Sequence, residues 1–141
     1  MKFKSRLAAC SLVAALGASL TYAVARAQEG DADDAPKPKH EIAEVMHGAH
    51  LPAEEGAKSL RDRVLGGEAT PEEKQELLDL YISLAENKPP KGELEAWQAK
   101  TSKILVSAAK IVVGREGAEK ELEKATNCMA CHKDHKPPQE Q

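Results

Sequence analysis

Apolar residues recur at intervals of three and four along much of the chain, the spacing of one face of an α-helix. This spacing predicts a short first helix from about residue 39 and a second helical piece over about 54–65. The inward face of the first helix is formed by four apolar side chains, those of Ile42, Val45, Met46 and Ala49. No segment alternates apolar and polar residues as a half-buried strand does, so the pattern predicts an all-α fold.

The next helix has the clearest start signal in the sequence. Thr70 suits the N-cap, Pro71 suits the first helical position, and Glu73 completes a capping box. Its buried side is predicted to include Tyr81 as a core residue, and the prolines at 89–90 end it.

A further long helix is predicted over about 93–113, and a last helix is predicted from about residue 117. Trp97 falls on the apolar face of the helix over 93–113 and is expected to pack in the core and touch a bound cofactor. In the last helix, Met129 and His132 continue the apolar face. Amphipathic helices joined by short connections predict an antiparallel four-helix bundle over residues 39–136.

The first 27 residues are typical of a secretory signal peptide. Three basic residues precede an apolar run over residues 7–25, and a small-x-small site ends at Ala27. The alternative is an uncleaved membrane anchor, although a run of about 19 residues is at the short end for a membrane span. Residues 28–38 are acidic and contain proline, which predicts a disordered leader, and residues 137–141 are predicted to form a disordered tail.

The net charge of residues 28–141 limits the classes of partner that the protein is expected to bind. Four of the 20 basic side chains lie in the first 27 residues, so residues 28–141 hold 16 basic and 23 acidic side chains, a net charge near −7. Such a charge argues against binding nucleic acid or an anionic membrane surface. Membrane contact is therefore expected only through the N-terminal segment, if that segment is not cleaved.

The candidate chemistry lies near the C-terminus, where residues 128–132 read C-x-x-C-H, the pattern for covalent attachment of haem c. Two thiols one helical turn apart, Cys128 and Cys131, can each add to a vinyl group of one porphyrin, and His132 can bind the iron. Bacterial haem attachment takes place outside the cytoplasm, so an export signal favours haem and a periplasmic location. The same two cysteines would also suit a redox dithiol.

A structural zinc module is a further alternative. It would use Cys128 and Cys131 with two of four histidines. These histidines are His47, His50, His132 and His135.

A late C-x-x-C-H motif on the last helix of a four-helix bundle resembles the class II cytochromes c, the cytochrome c′ family. The resemblance implies thioether bonds from Cys128 and Cys131 and proximal ligation by His132. After the motif histidine, family members often carry an aromatic residue followed by an arginine. At these two positions this chain has His135 and Lys136. Lys136 is expected to contact a haem propionate. Members of the family also form dimers through their first two helices. The short first helix of this chain leaves undecided whether it forms such a homodimer.

In this family, the residue that the first helix presents to the iron separates two functions. A methionine gives a six-coordinate electron carrier, whereas a non-coordinating apolar residue leaves the iron open to NO or CO. Met46 lies on the inward face and is the expected ligand, with His50, one helical turn on, as the alternative. His47 lies about 100° away from Met46 and is expected at the surface. His135 is expected at the haem edge or in solvent.

The sequence therefore predicts an exported cytochrome with one haem c and His132/Met46 ligation. It would carry single electrons between redox partner proteins that the sequence does not identify, and it would not be an enzyme. The alternatives are a five-coordinate haem protein that binds NO or CO and the structural zinc module.

Overall fold

The computed structural model describes residues 37–138, which form an all-α structure in which no strand occurs. The predicted signal peptide (residues 1–27), residues 28–36 of the predicted leader and residues 139–141 of the predicted tail lie outside this range. The six helices are α1 (Ile42–His50), α2 (Leu60–Leu65), α3 (Pro71–Glu86), α4 (Leu94–Val112), α5 (Ala118–Ala125) and α6 (Cys128–His135). None of the described helices has the length and apolar character needed to cross a membrane.

Helix α3 begins as the sequence predicts. The Thr70 hydroxyl accepts a hydrogen bond from the Glu73 amide, and the Glu73 carboxylate accepts one from the Thr70 amide. These two bonds satisfy amides that the first helical turn leaves without partners. The helix ends at Asn87, ahead of the prolines at 89–90.

The centre of the protein lies between α3 and α4, which also contact α1 and α5 respectively. Tyr81 is fully buried and Trp97 is 3% exposed, so both are core residues as predicted. The other large side chains with under 2% exposure come from α1, α2, α3, α4 and α5. These are Leu77, Leu122, Val45, Val64 and Thr101. Burial of aliphatic and aromatic surface from every one of these helices is the main stabilising contribution.

The predicted second helical piece is shorter than expected. The sequence predicts helix from about residue 54, but α2 begins only at Leu60, with the Ser59 hydroxyl accepting from the Asp62 amide as its N-cap. Gly56 has a φ of +83°, which is incompatible with a right-handed helix at that position.

The prediction of one continuous last helix is wrong. The chain leaves the helical conformation at Thr126 and Asn127, and Asn127 begins α6 as a new N-cap, its side chain accepting from the Ala130 amide at 3.1 Å. The expected inward position of Met129 is wrong for the same reason. Its side chain is 77% exposed, because α6 does not continue the face of α5.

A buried hydrogen-bond chain ties α1, α3 and α4 together beside the candidate site. The Asn87 amide donates to the carbonyl oxygens of His40 and Ser83, at 2.8 and 2.7 Å. The Trp97 indole then donates to the Asn87 carbonyl at 2.7 Å. The start of α1 is thereby fixed to the end of α3 and to the first turn of α4.

Candidate haem site

A cleft of about 1000 Å³ is lined by residues from α1, α3 and α4, from the connection between α3 and α4, and from the segment 125–137. Its volume is at the upper end of the range of about 300–1,000 Å³ that is usual for small-molecule and cofactor sites. Its accessible lining is mainly apolar, including Ile42, Leu84 and Ile104. A large and mostly apolar group with a few polar attachments therefore fits the volume and lining of this cleft.

Both motif cysteines line the cleft, and both are free thiols. Cys128 is the first residue of α6 and is exposed, whereas Cys131 is half-buried one turn later. Burial raises the pKa of the Cys131 thiol, so this side chain stays protonated near neutral pH. Two thiols on one turn at the edge of an apolar cleft are the donors that covalent haem attachment needs.

His132 also lines the cleft, directly after Cys131. It is an exposed residue, and within residues 37–138 its imidazole has no hydrogen-bond partner. The structure thus brings Cys128, Cys131 and His132 to one cavity. This arrangement lets a cofactor bonded to the two sulfur atoms lie beside an available imidazole nitrogen.

The first helix contributes three sequence-predicted candidates to the same cleft. Met46 is half-buried and packs against the hydrophobic core. His47 is exposed, as the sequence predicts, although it reaches the rim of the cleft. His50 is half-buried at the end of α1, with its ring 5.9 Å from the ring of Tyr81.

The environment of His50 disfavours a positive charge. Burial lowers the pKa of His50 to about 4, with a further lowering from the positive charges of Arg61 and His132. Arg61 is itself held in place because its Nε donates to the Thr126 hydroxyl at 2.7 Å. His50 is therefore a neutral imidazole at pH 7, the form in which histidine binds metals.

Of the two positions expected for His135, the haem edge or solvent, the structure excludes solvent, because this residue is buried in the lining of the cleft. His135 is 3% exposed and packs edge-on against Trp97, with ring centroids 5.3 Å apart. Its Nδ1 lies 3.0 Å from the Lys91 carbonyl oxygen, which is an acceptor, so Nδ1 carries the hydrogen and donates it. The residue is among those that line the cleft, while its Nε2 is sealed from solvent without a partner in the described chain.

Two further contacts hold α6 in position. The Lys100 ammonium donates to the Ala130 carbonyl at 2.5 Å and to the Asp134 carboxylate at 2.6 Å. The sequence reasoning missed Lys100, because nothing in its spacing marks it as a partner of a helix 30 residues away. Lys136, the expected propionate contact, is exposed at the end of α6 and lines the cleft.

The zinc alternative has no assembled site in the part of the chain that the structure describes. No group of three or more histidine, cysteine, aspartate or glutamate side chains converges there as a metal cluster. Tetrahedral zinc needs four donors directed at one point, so a zinc module would require these side chains to move together.

No protein-family model, curated protein or solved structure matches the chain. The assignment of the site therefore depends on the motif, the cleft and the residues that line it.

Proposed function

We propose that the protein is an exported c-type cytochrome that carries single electrons on one covalently attached haem. The observation that carries this proposal is the meeting of Cys128, Cys131 and His132 in one apolar cleft. The α1 side chains Met46 and His50 line the same cleft and can supply a second axial ligand.

The donor set fits haem attachment chemically. Each cysteine would add its S–H group across one vinyl double bond, with sulfur bonding to one carbon and hydrogen to the other, so that no group leaves. His132 would then bind the iron. The mainly apolar lining would exclude water from much of the macrocycle, which is one of the means by which a protein sets the reduction potential of a haem.

When bound, the haem iron would supply reversible one-electron chemistry between its ferric and ferrous states. One electron would arrive from a reduced donor protein and leave to an oxidised acceptor protein. With both axial positions taken by protein side chains, the iron would lack a site for substrate, so we propose a carrier and not an enzyme. The export signal in residues 1–27 supports a periplasmic location, where such haem attachment takes place.

We also propose that the helices form a variant of the antiparallel four-helix bundle of class II cytochromes c. Helices α3 and α4 would be its two long central members. α1 with α2 would take the place of the first helix, and α5 with α6 the place of the last. The position of the motif on the last helix supports this likeness, and the breaks within the first and last members would make this chain a divergent form.

The proposal is tested by producing the full chain, with its signal, in a bacterial host that has a haem c attachment system. We expect an intact mass equal to the processed chain plus one haem, and a pyridine haemochrome spectrum of the thioether type. The double variant Cys128→Ala/Cys131→Ala is expected to lose the covalent haem, whereas Met129→Ala, an exposed position between the two cysteines, is expected to keep it. A haem-free wild-type protein that holds zinc or an intramolecular disulfide under these conditions would refute the proposal.

A further inference from the structure

The connection between α3 and α4, residues 87–93, borders the cleft, and Lys88 is among the residues that line it. The first residue of the connection, Asn87, donates to two backbone carbonyl oxygens and accepts from a buried indole. Further along, the Lys91 carbonyl accepts from the buried His135 ring at 3.0 Å. Two prolines restrict the backbone between these fixed points. The connection is therefore a preformed surface whose backbone has a fixed position relative to the cleft.

Three lysines at this end of the cleft have no carboxylate to pair with. Lys88 and Lys136 line the cleft, and Lys91 lies beside them, because its carbonyl is bonded to the residue before Lys136. All three are exposed, and none of them forms an ion pair within residues 37–138. The lysines that do form ion pairs there are Lys39, Lys58, Lys100 and Lys110. We call the three unpaired side chains the basic rim.

Acidic side chains offset little of this charge at the cleft itself. Glu41 is the acidic residue of the lining, and as the N-cap of α1 it interacts with the positive end of that helix. Glu86 and Glu93 flank the connection but do not line the cleft. The Asp134 carboxylate is already paired with Lys100. The basic rim is therefore positively charged, although the predicted mature chain as a whole has a net charge near −7.

A positive rim on an acidic protein has a consequence for electron exchange. A redox partner must come close to the cofactor, and a cofactor that fills the cleft is bordered by the basic rim. Charge of one sign at that point raises the encounter rate with an oppositely charged surface and orients it. An anionic membrane is a poorer match, because its charge extends over a wide area and would also meet the acidic remainder of the protein surface.

We infer that the basic rim is the docking surface for an acidic face of a redox partner protein; this inference depends on the proposed haem attachment. The partner places carboxylates against Lys88, Lys91 and Lys136. One electron then passes between the two redox centres, and no bond is made or broken. Because the backbone of the connection is already fixed, docking costs little conformational freedom there.

The test measures how fast the reduced, haem-loaded protein passes one electron to two small oxidants of opposite charge. These are ferricyanide, a trianion, and tris(phenanthroline)cobalt(III), a trication. Haem content is determined first by pyridine haemochrome, so that an absence of haem, which would refute the proposed function, is seen separately from the docking result. The rate with ferricyanide is expected to fall as ionic strength rises, and the rate with the cobalt complex to rise. The net charge of the chain acting alone predicts the opposite for both oxidants.

Two double variants with the same change in charge locate the effect. Lys88→Glu/Lys91→Glu reverses the charge of two rim residues. The control, Lys103→Glu/Lys120→Glu, changes two exposed lysines that neither line the cleft nor form an ion pair within residues 37–138. At about 0.1 M ionic strength, charges more than about 10 Å apart are largely screened. There the rim variant is expected to react with ferricyanide about tenfold more slowly than wild type, and the control to stay close to wild type.

A polypeptide probe tests the class of partner. Poly-L-glutamate is activated with a carbodiimide and mixed with the haem-loaded protein, and the cross-linked lysines are mapped by mass spectrometry. Cross-links are expected at the three rim lysines in excess over Lys103 and Lys120, and they should decrease with added salt. Cross-links spread evenly, equal ferricyanide rates in the two double variants, or a salt dependence with the sign set by the net charge would overturn the inference. Binding to phosphatidylglycerol vesicles at about 0.15 M salt that is lost in Lys88→Glu/Lys91→Glu would overturn it too, in favour of a membrane surface.

Discussion

Gly92 provides a sharp test of how the candidate site is held together, because the loop before α4 passes very close to α6 at this residue. Its φ is +82°, and a Cβ atom placed there would lie 2.8 Å from the Asp134 carbonyl oxygen and 3.0 Å from His135 Nδ1. Gly92→Ala therefore adds two costs. Alanine pays about 1–2 kcal/mol to adopt the left-handed conformation. The loop must also move away from α6, which weakens the hydrogen bond from His135 to the Lys91 carbonyl, worth about 1 kcal/mol.

We expect Gly92→Ala to lower the free energy of unfolding of the haem-loaded protein by about 2–4 kcal/mol, the sum of these costs with some loss of packing. Gly114→Ala is the matched control, because Gly114 has a φ of +71° and no atom within 4 Å of the added Cβ. It should lose only the conformational cost, about 1–2 kcal/mol. Urea unfolding followed by circular dichroism measures both losses.

The site gives a second readout for the same pair. Gly92→Ala should change the haem absorption spectrum or the rate of CO binding, because α6 carries the motif and is fixed to this loop through His135. Gly114→Ala should leave both unchanged. Equal destabilisation by the two substitutions, with no spectral difference between them, would show that the contact between the loop and α6 has no part in positioning the site.

Three further outcomes follow from single contacts. Thr70→Ala removes the hydroxyl that accepts from the Glu73 amide, and urea unfolding should show a loss of about 0.5–2 kcal/mol; an unchanged midpoint would contradict the capping role. Trp97→Phe leaves the buried Asn87 carbonyl without its 2.7 Å indole donor, so a loss of about 1–3 kcal/mol is expected, and a loss close to zero would argue against this bond. Without a bound haem, His50 has a folded pKa of about 4, below its ordinary value of 6.5, so the unfolded chain binds more protons between these pH values. The free energy of unfolding should therefore fall as pH decreases from about 6.5 to about 4, by at most about 1.4 kcal/mol per pH unit from this group. The His50→Leu variant should show a smaller dependence of the unfolding free energy on pH than the His47→Leu variant.

Local sequence signals were sufficient for the elements whose ends are set by neighbouring residues. The cap at Thr70, the end of α3 before the prolines, and the extent of α4 all depend on contacts within a few residues, and the structure agrees with each prediction. The C-x-x-C-H motif likewise predicted the two thiols and His132 as site residues, because the motif occupies five consecutive positions. Such features are readable because their physical causes are local.

The long-range contacts of the site could not be predicted from the sequence in the same way. The bond from Lys100 to Asp134 joins residues 34 positions apart, and the bond from His135 to the Lys91 carbonyl joins residues 44 positions apart. Neither contact has a spacing signature, because it depends on how α4 and α6 pack. Asp134, two places after His132 in the same helix, could have been predicted as a salt-bridge residue only if its partner had been known.

The break between α5 and α6 shows why a regular apolar pattern misled the prediction at the site itself. A continuous helix would have carried the face of Leu122 on to Met129, yet Met129 is exposed while His135 is buried. The Thr126 hydroxyl donates to the Leu122 carbonyl and accepts from Arg61, and Asn127 then restarts the helix as an N-cap. Because α6 starts afresh, the apolar periodicity of α5 does not determine which face of α6 is buried. Contacts from Lys100 and Lys91 to Asp134 and His135 hold α6 in its observed orientation. In this way the chain directs a motif with little hydrophobic character of its own toward an apolar cavity, and the same Arg61 that steadies the break helps to keep His50 uncharged.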